Sequence, residues 1–214
     1  MFALHHVQVG TILDIPQLRI PAGKVTCIVG RSGAGKSTLL KLLNRMISPD
    51  RGDILFQDTS ISQIDPVELR RQVVMLPQTP VMFDGTVRDN LLVGLRFSDR
   101  PDVDDASLKR ILEVVDLRKN LDQDASSLSG GEKQRVALGR ILAMQPVAAL
   151  LDEPSSALDA GTERVVIERL IAAARERGIT IIMVTHSRSL AEQTADHLIE
   201  VDNGRCVELT GVQP

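Results

Sequence analysis

The 214 residues are 43% hydrophobic and 25% charged, with a net charge of −3, the balance of an ordinary globular chain able to bury a sizeable core. Aromatic rings make up 2% (Phe2, Phe56, Phe83 and Phe97, with no Trp or Tyr), which argues against aromatic cages and single-strand nucleic-acid platforms. The mildly acidic balance supplies no basic field for nucleic acid, so no such partner is expected. No run approaches the roughly 18 apolar residues of a membrane span. The first ten residues, MFALHHVQVG, lack the basic start and apolar stretch of a signal peptide. Cys27 and Cys206 sit far apart in apolar stretches and read as buried, reduced thiols of a cytosolic protein. No Cys or His spacing has metal-ligand form.

In chain order, strand and helix patterns alternate, which predicts an α/β fold with a largely parallel sheet. Residues 25–29 (VTCIV) are β-branched and apolar, bounded by Gly23 and Gly30, and read as a buried central strand. Residues 36–47 read as a helix with the stripe Leu39, Leu40, Leu42, Leu43, Met46 and Ile47, closed by the turn chemistry of residues 48–52. Residues 73–76 form a short strand. From about Thr86 to Leu142 strand signal is weak, and a helical subdomain inserted into the sheet-bearing core is expected. Within it, residues 96–104, charged and containing Pro101, read as a loose loop, and residues 105–117 and 131–142 as helices. Residues 147–151 and 180–185 are further buried strands. Asn203-Gly204 reads as a hairpin turn.

Gly30-Arg31-Ser32-Gly33-Ala34-Gly35-Lys36-Ser37 matches G-x-x-x-x-G-K-[ST] between a strand and a helix. Glycines let a backbone curl its N–H groups around phosphate oxygens, and the helix start adds its positive dipole end. Lys36 is expected to reach the β- and γ-phosphates, and the Ser37 hydroxyl to ligate Mg²⁺. Asp152 and Glu153 close an apolar strand at the edge where such sheets hold ligands. Asp152 is expected to hold Mg²⁺ and Glu153 to orient or deprotonate a water. Ser129-Gly130-Gly131-Glu132 forms a capping box for the helix that follows, and its Ser-Gly-Gly start reads as a second anion site.

The segment LSGGEKQR at 128–135 resembles the signature of the ATP-binding cassette (ABC) family. Further elements of that family stand in the right order: Gln78 after VVMLP, the run Ser156-Ala157-Leu158-Asp159, and His186 after TIIMVT. The resemblance covers essentially the whole chain. It implies a P-loop NTPase core (1–85 and 143–214) with a mainly parallel sheet and an antiparallel β subdomain, and a helical subdomain at 86–142. It implies ATP and Mg²⁺ as ligands. The nucleotide would be held by Gly30 to Thr38 of one copy and by Ser129, Gly130 and Gly131 of a second, in a head-to-tail homodimer. Gln78 would sense Mg²⁺ or the water, His186 would contact the γ-phosphate, and Asp159 would couple the two sites. A transmembrane permease would dock on the helical subdomain, placing the chain at the inner face of the cell membrane.

Two features depart from or refine that pattern. The family offers an aromatic ring to adenine before the P-loop, but the corresponding stretch, Val9 to Ile12, has none. Apolar contact, or His5 or His6 if the first strand bends, is expected to replace it, with relaxed base selectivity. The stretch Phe83-Asp84-Gly85-Thr86-Val87 resembles export-type cassettes. Without a membrane segment beside it, the combination resembles small prokaryotic ATPase subunits paired with a separate membrane protein, including a group linked to iron or other metal export. Related chains are labelled phosphate importers. A soluble non-transport cassette is the alternative, disfavoured because no sustained heptads separate Lys36 from Ser129. A regulator with degraded chemistry is disfavoured by the intact Lys36, Asp152, Glu153 and His186. His197 carries no motif.

Overall fold

The computed structural model describes residues 1–209. It opens with strands β1 (Phe2–Val9), β2 (Leu13–Ile20) and β3 (Val25–Val29), then helix α1 (Lys36–Leu43). Strands β4 (Arg51–Phe56) and β5 (Thr59–Ser60), helix α2 (Pro66–Gln72) and strand β6 (Val73–Leu76) follow. Three helices come next: α3 (Val87–Arg96), α4 (Asp105–Val114) and α5 (Gly130–Met144). The chain continues through β7 (Ala148–Asp152), α6 (Ala160–Glu176), β8 (Thr180–Val184), α7 (Arg188–Thr194), β9 (His197–Asp202) and β10 (Arg205–Leu209).

The strands divide between two sheets. A four-stranded antiparallel sheet has the order β2-β1-β4-β5, and a six-stranded sheet the order β10-β9-β3-β8-β7-β6. In the larger sheet only the β9–β10 hairpin is antiparallel; β9, β3, β8, β7 and β6 run parallel. The fold is therefore a P-loop-type α/β core with a mainly parallel sheet and a separate antiparallel sheet. β3, β7 and β8 are buried at every position, as strands covered on both faces must be. Side chains alternate between those faces. Cys27, Leu151 and Met183 join the core shared with α3 to α6. Ile28, Leu150 and Ile182 join the core shared with α1 and the antiparallel sheet.

Some elements end elsewhere than their hydrophobic pattern suggests. α1 stops at Leu43 rather than Ile47, because Arg45 adopts φ 57°; Met46 leaves the apolar stripe and is exposed. α4 stops at Val114, and Asp116 turns left-handed at φ 53°. α5 runs from Gly130 to Met144, longer at both ends than read, and β7 is shifted one residue toward Asp152. The 96–104 segment is not loose. Arg96 bridges Asp89 and Asp102 at 3.0 Å each, Ser98 Oγ donates to the Gly94 carbonyl, and the Arg100 guanidinium donates to the Met144 carbonyl. Cys27 is buried and Cys206 half-buried, both unpaired; burial pushes each thiol up to about 12.

Candidate functional site

Parallel pairing gathers the singled-out residues at one sheet edge. The registers Ile28↔Val184, Asp152↔Val184 and Leu76↔Leu151 bring the carboxyl ends of β3, β8, β7 and β6 side by side. The segments leaving those ends carry Gly30 to Ser37, His186, Glu153 and Gln78 respectively. This is the edge where open α/β sheets bind ligands.

The loop after β3 is shaped by close backbone approach. At Gly30 (φ 146°) a Cβ would lie 2.1 Å from the Val201 carbonyl oxygen of β9, so only glycine fits. Arg31, Ser32 and Gly33 are exposed, while Ala34 and Gly35 are half-buried. Lys36 is buried at the start of α1, and its Nζ donates to the carbonyls of Gly30 and Arg31 at 2.8 Å each. An ammonium has three donors, so one remains for a ligand. Ser37 Oγ donates to Asp152 Oδ1 at 3.0 Å, and Thr38 is half-buried one position on. A hydroxyl and a buried carboxylate held together are hard oxygen donors suited to a cation that also takes phosphate oxygens, as Mg²⁺ does. Among the described residues no cluster of three or more His, Cys, Asp or Glu side chains could hold a metal by itself.

Glu153 sits at the centre of a second cluster. Its φ of 50° is unusual for a residue with a side chain and carries strain of about 1–3 kcal/mol. Its N–H donates to the Val184 carbonyl at 3.0 Å, extending the β7–β8 ladder by one bond. The carboxylate is thereby fixed between two partners. Gln78 Nε2 donates to Oε2 at 2.8 Å, and His186 Nε2 lies 2.5 Å from Oε1. Glu153 is largely enclosed, with 15% of its side chain accessible, whereas His186 at 54% faces outward.

Ser129, Gly130 and Gly131 stand at the start of α5. No hydrogen bond among the described residues joins them to residues 30–37. Ser129 caps α5: its N–H donates to Glu132 Oε2 at 2.8 Å and its Oγ accepts from the Glu132 N–H at 3.4 Å. Lys119, 2.9 Å from Glu132, and then the Ser129 N–H hold that carboxyl down to about 2. Ser129 and Gly130 are exposed. Gly131 packs closely against the loop between β7 and α6, for a Cβ there would stand 3.0 Å from the Ala157 carbonyl oxygen. Asp159 caps α6, accepting from the N–H groups of Gly161 and Thr162; the Thr162 side chain, and then its N–H, lower the Asp159 pKa.

The segment after Gln78 is held by residues that sequence reading did not single out. Asn90, fully buried, accepts from the Phe83 N–H and donates to the carbonyls of Phe83 and Thr86. Arg140 of α5 donates to the carbonyls of Asn90 and Val81, and stands 5.3 Å over the Phe83 ring. Desolvation draws Arg140 down to about 10. The signals were a polar residue on an apolar helical face and an arginine in a buried stretch, both too common to stand out alone.

A cleft of about 430 Å³ adjoins the P-loop, lined by Thr11, Ile12, residues 31–34 and the turn 202–204. His5 and His6 do not line it. His5 faces a different cleft with Arg19, His197 and Glu208, and His6 sits at a bulge in β1, exposed. The expectation that a bent first strand brings either histidine to the P-loop is not met.

The fold and the P-loop edge define a P-loop nucleotide-binding domain. The sequence profile described as ABC transporter matches residues 13–156, and the chain belongs to that family. It is 42% identical over 199 residues to Protein STAR1 of Oryza sativa subsp. japonica, covering 92% of this chain and 57% of that one. It is 37% identical to ABC transporter I family member 17 of Arabidopsis thaliana (92% and 75%), and 36% identical to the methionine import ATP-binding protein MetN of Mesorhizobium japonicum (92% and 55%). The chain thus spans little more than half the length of the first and third of these relatives. Among solved structures, a bacterial Atm1-family ABC exporter with ATP bound superposes with a TM-score of 0.85 at 31% identity, over 97% of this chain and 38% of that one. The cbiO1 protein of Clostridium perfringens, part of the transporter complex cbiONQ, gives 0.83 at 26% identity, over 96% and 86%. No helix among the described residues is long and apolar enough to cross a membrane.

Proposed function

We propose that this chain is the ATP-hydrolysing subunit of a membrane ABC transporter, working at the inner membrane face with a separate permease. The observation that carries this reading is Glu153, whose carboxylate is held by Gln78 and His186 at the sheet edge that also presents Lys36 and the Ser37–Asp152 pair.

In this reading Lys36 and the N–H groups of residues 30–38 bind the phosphates. Ser37 and Asp152, with Gln78 nearby, hold Mg²⁺, which neutralises phosphate charge when bound. Glu153 takes the proton of the attacking water as the bond to the departing diphosphate breaks. His186 and Gln78 aim that carboxylate, and His186, facing outward, is placed to touch the terminal phosphate. The absence, among the described residues, of any hydrogen bond between Ser129, Gly130 or Gly131 and the P-loop supports a composite site. Each copy lends its α5 start to the triphosphate on the other, and Asp159, beside that start, links the two sites. Residues 86–142 form the helical unit that meets the permease.

Export is the direction we favour, supported by the Phe83–Val87 pattern and by likeness to an ATP-bound exporter; a metal ion is the first cargo to assay. Similarity to methionine import proteins supports import as the competing reading.

The test is phosphate release by the purified chain. Release that needs Mg²⁺ and disappears in Lys36→Ala, together with ATP-induced dimers that Ser129→Arg prevents, is expected. Unaltered ATP binding by Lys36→Ala, or no ATP-dependent association of the parent chain, overturns the scheme. Addition of the correct permease should raise turnover, and transport into or out of sealed vesicles then fixes direction.

A further inference from the structure

We infer that Gln134 is a positioning residue of the composite ATP site: its buried amide has no partner in this arrangement of α5 and gains one from the β7–α6 turn when two copies close on nucleotide. The inference rests on the ATP-driven pairing proposed above.

Gln134 lies just over one turn into α5 and its side chain is fully buried. Neither Nε2 nor Oε1 has a hydrogen-bond partner, and among the described residues no other side chain has two buried, unpartnered polar atoms. A primary amide offers two donors and an acceptor oxygen, and burying them unpaired is costlier than burying an apolar side chain of the same size. Asn90, also fully buried, shows the ordinary arrangement. Its amide accepts from the Phe83 N–H and donates to the carbonyls of Phe83 and Thr86.

Neighbouring contacts fix the side of α5 on which Gln134 lies. Gly139 packs against Leu91, Ile111 and Val115, and Arg140 turns to Asn90 and Val81; these sides face α3, α4 and the segment before α3. Gly131 lies on another side, against Ala157 and Leu158 of the β7–α6 turn. Residues three or four apart share a helical face. Gln134 stands three beyond Gly131 and four before Leu138, itself fully buried. It therefore continues the stripe that meets the β7–α6 turn. Long helical side chains lean toward the N-terminus of their helix, which carries the amide back toward that turn. The turn begins at Glu153 and ends at Asp159, the base and the linking residue of the proposed scheme.

An orphaned amide raises the free energy of the resting form. A small shift of α5 that gives it a backbone partner recovers that free energy. The shift occurs when the α5 start takes up the other copy's triphosphate, so the amide biases the equilibrium toward the paired form. A two-fold pair contains two such residues, and the effect counts twice.

Gln134→Met tests this, because methionine keeps the unbranched shape and removes the polar atoms. Without nucleotide, the variant should melt about 2–4 °C above the parent. With Mg²⁺ and ATP, its dimer dissociation constant in sedimentation should rise by about tenfold per copy, hence about a hundredfold. ATP affinity at protein concentrations too low for pairing should stay within a few-fold. A residue that served only folding would move melting and pairing in the same direction. A lowered melting point shows that the amide is already satisfied, for example by a bound water, and overturns the inference. So does a raised melting point with unchanged pairing, or a large loss of ATP affinity in the separate copies. Each of these leaves the ATPase reading intact. Failure of the parent chain to pair with ATP overturns the composite site and this inference with it.

Discussion

Glu153→Gln separates chemistry from structure at the sheet edge. The parent carboxylate accepts at both oxygens, from Gln78 Nε2 and from His186 Nε2. A glutamine keeps one acceptor and gains a donor. The geometry absorbs this, because a neutral imidazole can present Nε2 as an acceptor. The variant oxygen then faces Gln78 and the new amide donates to His186. The left-handed backbone and the bond to the Val184 carbonyl are unaffected. Folding stability should therefore change by less than about 1 kcal/mol. Loss of the base is a different matter, because a positioned general base contributes about 10²- to 10⁴-fold to a rate. Single-turnover phosphate release should fall by that range, while ATP affinity stays within a few-fold and ATP-bound dimers accumulate in light scattering. Glu153→Asp, one methylene shorter, should draw the carboxylate away from both partners and slow hydrolysis almost as much. Parent-like release by Glu153→Gln refutes the assignment of the base. A variant that unfolds many degrees early refutes the claim that the two contacts can be exchanged.

Gly30→Ala should lose triphosphate binding and melt several degrees lower, since its methyl group cannot coexist with the Val201 carbonyl 2.1 Å away; a normal thermal midpoint would show that the loop and β9 are not so tightly joined. The Glu132 carboxyl, held at about 2 against an ordinary 4.5, favours the folded state above pH 4.5, and that contribution fades as pH falls from 4.5 toward 2. Acid unfolding of Glu132→Gln should be shallower over that window, and identical pH curves would remove the capping-box ion pair from the explanation. Salt should shrink the difference, because the pair is solvent-screened.

The parallel strands were legible because burial on both faces leaves continuous apolar runs, as in VTCIV. The antiparallel strands were harder to place. β1 is interrupted by the bulge between His5 and Gln8, which breaks the period-two pattern. β2 contains Pro16, tolerated because β2 lies at the sheet edge. Helix ends at Leu43 and Val114 were set by left-handed residues, Arg45 and Asp116, that have no glycine to announce them. Gly30, Lys36, Asp152 and Glu153 stood out because a motif places their chemistry at fixed offsets. Asn90 escaped notice because its partners are nearby backbone groups rather than side chains of a motif, and Arg140 because its partners are backbone carbonyls remote in sequence.

The placement of β3 also governs when the nucleotide site can exist. Its sheet neighbours, β8 and β9, come from residues 180–184 and 197–202. During synthesis the P-loop therefore emerges long before the strands that flank its supporting strand. Such distant pairings close slowly, because chain entropy is lost before any contact compensates. The Val201 carbonyl that confines Gly30 belongs to this late-arriving segment. A nascent chain lacking it cannot hold the loop in its folded shape, so triphosphate binding reports the completion of the sheet.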